Sequence, residues 1–391
     1  MKNRILLFVL LIVFSCFAYG QKESKLKCNG YISNMQTLMF SDINKDWVND
    51  NLIHNRLNFK WVPNTHFNTV VELRNRVFTG ETVKYNPNYG NDIDYDDGIV
   101  DMSFNLFEEK SVILNSFVDR AYLSYEKGKV NVKAGRQRVN WGKCFVWNPN
   151  DIFNNYSFFD VDYIEKPGED AIRLQYYNTE VSSSEIVVSG KRKDQGNYAG
   201  IYRFNKWEYD FQILGGFVKN EDYVLGLGWA GDIKGAGFCG ELSYYHPVEN
   251  VRDTTGIFLA SIGTNYTFKN SLMLQFEFLY NQKRDNQTNI NSFQQIINAP
   301  SNSKNLSFTE YNIFGQLSYP ISPLLNGSLS VMYFPNMEGY FAGPSISYSL
   351  SDNIEFSFIV QTFGANLINE ITSQKEKVSF TMSYIKLKKS F

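Results

Sequence analysis

Apolar and polar residues alternate with a period of two along most of the chain, as in Asn58-Phe59-Lys60-Trp61, Glu72-Leu73-Arg74, Arg173-Leu174-Gln175-Tyr176 and Gln275-Phe276-Glu277-Phe278. Successive side chains of a strand point to opposite faces, so this alternation predicts sheet with one greasy and one wet face. Such segments run about nine to twelve residues, near the length a tilted strand needs to cross a bilayer. They start near Leu26, Trp47, Phe67, Phe117, Val130, Ala171, Ser184, Tyr198, Tyr209, Tyr223, Gly237, Gly256, Leu272, Ser307, Asn326, Gly339, Ile354 and Val378. The total is about eighteen, an even number as bacterial barrels prefer, with about sixteen as the neighbouring count.

The connections sort by length. Those after even-numbered strands are short, among them Pro63-Asn64-Thr65, Glu126-Lys127-Gly128-Lys129 and Ser351-Asp352-Asn353. Every long one follows an odd-numbered strand: residues 79–116, 142–170, 281–306 and 364–377. Short turns on one rim and long loops on the other fit a transmembrane antiparallel β-barrel with both termini in the periplasm. A soluble sandwich has no reason to sort its loops this way. The expected fold is therefore all-β, a single barrel over residues 21–391 with 142–170 and 281–306 as long extracellular loops. Trp47, Trp61, Trp207 and Tyr245 near strand ends suit the aromatic girdles of such a barrel.

Residues 1–20 read as a secretory signal peptide, with basic Lys2 and Arg4, an apolar run from Ile5 to Phe17, and small Ala18 and Gly20 before Gln21. Cys16 would leave with it. Cys28, Cys144 and Cys239 remain, an odd number outside any C-x-x-C pattern, so neither a disulfide framework nor a zinc site is implied. Composition removes other classes. The 32 Phe, 25 Tyr and 6 Trp exclude disorder, and 38 basic against 40 acidic residues argue against a nucleic-acid partner. A negative mean hydropathy, with no spanning-length apolar run beyond the N-terminus, excludes a helical membrane bundle.

A barrel this wide leaves a water-filled bore. Strict alternation puts a basic set on its inner face: Arg56, Lys60, Arg74, Arg76, Arg120, Lys133 and Arg173, with His54 and Glu72 among them. Later strands contribute Asp210, Gln212, Gln275, Glu277, Glu310, Gln316, Glu355 and Gln361. Guanidinium rows bind carboxylate or phosphate groups well. The same arginines can instead pair with loops folded inward, and the sequence leaves both roles open. The loop 79–116, with Asp92, Asp94, Asp96 and Asp97 among its acids, is the expected constriction, facing Arg74, Arg76 and Arg120. Asp92-x-Asp94-x-Asp96-Asp97-Gly98 approaches a calcium loop, but Asp97 stands where that turn wants Gly and Ser103 falls on the bidentate position. A solvated acidic loop is the preferred reading, with no metal or cofactor.

Gly135-Arg136-Gln137-Arg138-Val139-Asn140-Trp141-Gly142 runs into Trp147-Asn148-Pro149-Asn150-Asp151-Ile152-Phe153-Asn154. This G-R-Q-x-x-x-W-G and W-N-P-x-D-x-F-N pair resembles a group of porin-like outer-membrane proteins of Bacteroidetes-type bacteria. The specific match spans about twenty residues; the terminal Phe391, with Ile385 and Leu387 on its face, resembles a barrel sorting signal. The resemblance implies an outer-membrane barrel, plausible as a channel, and supplies no solute. By alternation from Val130, Val132 and Ala134, Arg136 and Arg138 would face lipid; a β-bulge at Gly135 would turn both inward. Two roles stay open for the motif: anchoring the long loop to the wall, or contacting solute through the two arginines.

No G-x-S-x-G, H-E-x-x-H or Walker pattern occurs, and His54, His66 and His246 lie far apart, so no enzyme is expected. The leading expectation is a passive channel for small hydrophilic, including anionic, solutes in the outer membrane. The alternative is a non-conducting barrel that serves as a subunit or docking platform of a larger assembly. Lipid and small solutes are the expected partners; a homo-oligomer or outer-membrane complex stays open.

Overall fold

The computed structural model describes residues 25–44, 47–153, 157–162, 165, 167–192, 195–249, 251–252, 254–282, 302–368 and 374–391. The predicted signal peptide and most of the 281–306 loop lie outside the described residues. The chain folds as one continuous antiparallel sheet. Its strands are β1 (Leu26–Phe40), β2 (Val48–Trp61), β3 (Phe67–Gly80), β4 (Ser103–Glu109), β5 (Val112–Lys127), β6 (Val130–Gln137), β7 (Glu169–Thr179), β8 (Ser182–Lys191), β9 (Gln195–Lys206) and β10 (Tyr209–Val218). There follow β11 (Asp222–Ile233), β12 (Ala236–Pro247), β13 (Ile257–Thr267), β14 (Met273–Asn281), β15 (Tyr311–Ser322), β16 (Leu325–Phe334), β17 (Gly339–Ser351), β18 (Ile354–Ile368) and β19 (Lys375–Ser390). Two short helices, α1 (Glu81–Tyr85) and α2 (Tyr89–Ile93), lie between β3 and β4.

The ring closes between first and last strands, from Tyr31↔Ser390 to Phe40↔Thr381. Its wall has eighteen strands, because β4 does not add a full one. β4 pairs with the outer half of β5, from Ser103↔Phe117 to Glu109↔Val112, whereas β6 pairs with the other half, from Ala121↔Arg136 to Lys127↔Val130. β4 thus continues the wall where β6 stops. Alternation marks the wall strands but not β4, and it starts β5 late, at Phe117 rather than Val112. A shift between Asn105 and Phe107 breaks the alternation of β4, which hides it.

Local chemistry explains the tight rim. Trp207 and Glu208 both take positive φ (55° and 63°), as do Lys234 and Gly235 (54° and 87°), giving two-residue hairpins whose twist matches the flanking strands. The outer face is apolar, with Ile172, Ile186 and Leu225 exposed on strands whose alternate residues are buried. That surface suits lipid. Trp47, Trp61 and Trp207 are exposed near strand ends. Tyr245 is not: it lies fully buried on the inner parity of β12, its hydroxyl donating to the Pro149 carbonyl at 3.4 Å.

Candidate channel interior

The connection between β6 and β7 folds inside the barrel and runs round its inner wall. Trp141 Nε1 donates to Glu185 of β8 at 2.8 Å, and its carbonyl accepts from Gln212 of β10 at 2.7 Å. The backbone N–H groups of Lys143, Cys144 and Asn150 converge on the Glu241 carboxylate of β12. Those of Phe145, Val146 and Trp147 converge on Glu277 of β14, at 3.0, 3.0 and 2.6 Å. Phe158 and Phe159 then pack on Phe314, Phe341 and Phe363. Beyond them, Lys386 of β19 donates to the Val161 carbonyl at 3.1 Å, Asp162 meets His54 of β2 at 2.7 Å, and Glu165 meets Arg56 at 3.2 Å.

The second half of the tryptophan motif builds this anchorage. Asn148-Pro149-Asn150-Asp151 is a turn closed by the Asp151 N–H on the Asn148 carbonyl at 3.0 Å, with Pro149 presetting its φ. Asn150 fits against β11 because Gly226 and Gly228 stand opposite; a Cβ at either would lie 2.6 or 2.8 Å from its amide. The Ser243 hydroxyl lies 2.8 Å from both the Pro149 carbonyl and the Asn150 side-chain oxygen, sharing its one proton between them. Trp141, Ile152 and Phe153 fill one apolar cluster, and Val146 and Trp147 the other.

The basic residues expected on the inner face form a contiguous arc across β2, β3, β5, β6 and β7. Arg56 is 2% exposed and its guanidinium bonds Glu72, Asp119 (2.8 Å) and Glu165. Those three carboxylates lie within 4.8 Å of one another, the closest approach to a metal-ligand set among the described residues, but Arg56 already sits among them. Arg74 lies over Phe117, Arg76 donates to Asn115 at 3.0 Å, and Arg120 reaches the Asp119 carbonyl at 3.3 Å. Lys133 sits over Tyr122, and Arg173 pairs with Glu185 at 2.9 Å. Lys60 is exposed on the inner parity of β2. Lys386, absent from the expected set, adds a buried cation from β19.

Arg136 and Arg138 behave differently. β6 pairs with β7 without a register shift from Val130↔Tyr176 to Gln137↔Glu169, so the flip expected at Gly135 does not occur. Gln137 faces inward and Arg136 keeps the outward parity. Arg136 is nonetheless buried at the rim, held by Asp170 (2.7 Å) and Asp96 (2.8 Å) and covered by the Val100 carbonyl (2.9 Å). Arg138 is exposed.

Acids of residues 79–116 bond partners at the rim. Asp96 goes to Arg136, Asp97 to Lys191 at 2.7 Å, and Asp94 to Asn115 at 3.4 Å. The Asp92 N–H donates to the Asn88 carbonyl at 3.0 Å, the first hydrogen bond of α2. α1 and α2 still touch the mouth of the bore. Thr82, Val83, Tyr89 and Ile93 line a cavity of about 410 Å³ with Arg76, Asp160 and Asp162. The histidines stay apart: His54 on Asp162, His66 on the Glu126 carbonyl, His246 on the Val251 carbonyl.

Burial alone would raise the Asp162 carboxyl, but the His54 hydrogen bond and charge, with Arg76 and Lys386 nearby, hold it below the ordinary aspartate range. A depressed carboxylate contributes stability that is present above its unfolded value and lost as pH falls through the folded one. The contact with β2 should therefore persist from neutrality down to about pH 4 and loosen below. Current noise recorded against pH checks this; onset near pH 6 contradicts it.

A closed eighteen-stranded barrel with an apolar exterior, a polar inner face and an inward loop is the architecture the fold and site define together. No protein-family model matches the sequence, and no curated protein matches it. Solved structures do share the fold. The outer membrane protein OprD from Pseudomonas aeruginosa is similar with a TM-score of 0.59 at 9% identity, covering 94% of this chain and 94% of that one. OpdQ from Pseudomonas aeruginosa gives 0.58 at 7% identity, over 95% and 99%. OccAB2 from Acinetobacter baumannii gives 0.57 at 8% identity, over 93% and 98%.

Proposed function

We propose that this protein is an outer-membrane channel for small hydrophilic, preferentially anionic solutes, narrowed mainly by the loop between β6 and β7. The observation that carries this reading is the division of the bore. The inward loop bonds β8, β10, β12 and β14 with its first half, then turns the carboxylates of Asp160, Asp162 and Glu165 toward the basic arc. Arg74, Arg76, Lys60, Lys133 and Lys386 give the opposite wall fixed positive charge, which attracts anions and orients dipolar solutes. The fold shared with OprD, an outer membrane protein, supports the location. The solutes and the surrounding lipid are the partners; catalysis has no part in this reading.

Planar bilayers with a salt gradient test it. The wild-type reversal potential should indicate anion preference, and the Arg74→Gln/Arg76→Gln variant should lose roughly half or more of that preference while still inserting. Cation preference in the wild type, or an unchanged variant, would refute the selectivity reading. A sealed barrel would favour the docking-platform alternative.

A further inference from the structure

Cys144 and Cys239 hold their sulfurs 2.9 Å apart, inside ordinary non-bonded contact. Cys144 belongs to the inward loop, and Cys239 stands on the inner parity of β12, two residues before Glu241. The contact is prepared from both sides. The Glu241 carboxylate takes the N–H groups of Lys143 and Cys144, fixing the height of the loop against β12. Cys239 pairs across the sheet with Ala230 and Gly263, both small, and a Cβ at Gly263 would stand 3.0 Å from its sulfur. A cavity of about 340 Å³ lined by Cys144, Cys239 and Gly263 opens beside the pair, which admits small thiol reagents.

We propose that Cys144 and Cys239 form a disulfide that locks the inward loop to the barrel wall. The proposal rests on the outer-membrane reading, because the envelope is an oxidising compartment where such bonds persist. The oxidant is a disulfide of a thiol–disulfide exchange protein or of glutathione. One thiolate of the pair attacks that disulfide, forming a mixed disulfide and releasing one carrier thiol. The second thiolate attacks the mixed bond, closes Cys144–Cys239 and releases the other carrier thiol. Two thiols of this chain are oxidised, one carrier disulfide is reduced, and the two protons end on the carrier thiols. The neighbouring sulfur and burial push the reduced Cys144 thiol up. Seated Cys144 is therefore a poor nucleophile, and closure belongs to the stage at which the loop settles. Cys28, on β1, lies outside this pair, which accounts for the odd count.

The test is a thiol count with a maleimide mass tag under denaturing conditions. It is made on chain extracted from outer membranes, with its N-terminus read to confirm loss of Cys16, and on chain starting at Gln21, which lacks Cys16, refolded into detergent in a glutathione/glutathione disulfide buffer. One tag before reduction and three after, with peptide mapping that recovers the Cys144–Cys239 link, is the expected result in both. Three tags before reduction in either preparation, or a link through Cys28, overturns it. The refolded arm decides the disulfide even if fractionation places the chain elsewhere, which would instead defeat the localisation. The Cys144→Ser/Cys239→Ser variant should still fold, shown by heat-modifiable gel migration, and should lose no tag on omission of reductant.

Discussion

Replacing Glu277 with alanine should lower the temperature at which the barrel loses heat-modifiable migration by roughly 5 °C or more and turn steady conductance into flicker. Its carboxylate is 1% exposed and accepts three consecutive backbone N–H groups, from Phe145 to Trp147, besides the Ser261 hydroxyl at 3.2 Å. A buried donor left without an acceptor costs about 1–3 kcal/mol. Three at once outweigh what the adjacent Phe314 contacts return, so the segment leaves the wall. Glu277→Gln keeps one carbonyl acceptor and should restore part of the loss. An alanine variant with wild-type melting and quiet current would show that the loop is held by its apolar residues alone.

The larger effect is expected at Arg56. Its guanidinium is buried among Glu72, Asp119 and Glu165, and Asp119 is fully shielded from solvent. Removing one partner of a buried ion pair strands the other charge, at about 3–5 kcal/mol. Arg56→Met should therefore refold in poor yield and melt roughly 10 °C or more lower. Adding Asp119→Asn removes the stranded charge and should recover a substantial part, because contacting residues are not additive. Denaturation of the four proteins of that cycle measures the coupling. Additive losses would mean that the pair is solvated and the bore wider at β2 and β5 than the geometry gives.

The wall was legible in the sequence because lipid imposes it. A strand that faces hydrocarbon on one side and water on the other must alternate, and β1, β3, β6, β10, β17 and β18 begin where the alternation places them. The inner-face parity of Arg56, Arg74, Arg76 and Lys133 followed from the same rule. The identity of the loop that enters the bore did not. The acids of 79–116 looked like a match for the basic wall, yet Asp96 and Asp97 find Arg136 and Lys191 at the rim. The loop that runs round the inner wall is seated by Glu241 and Glu277, 97 and 132 residues further along the chain from Cys144 and Phe145. Their partners are backbone N–H groups, which carry no residue-type signal. A buried acid on the wet parity of β12 was the one clue available for Glu241. The Cys144–Cys239 contact had none, because its spacing is set by the path of the loop.

Single-channel conductance of two shortened forms, one lacking 145–161 and one lacking 84–93, tests directly which segment narrows the pore. Removal of 145–161 should raise conductance several-fold over the full-length protein, and removal of 84–93 should change it little. The opposite order, or equal conductance in all three proteins, would contradict an inward loop between β6 and β7 as the constriction.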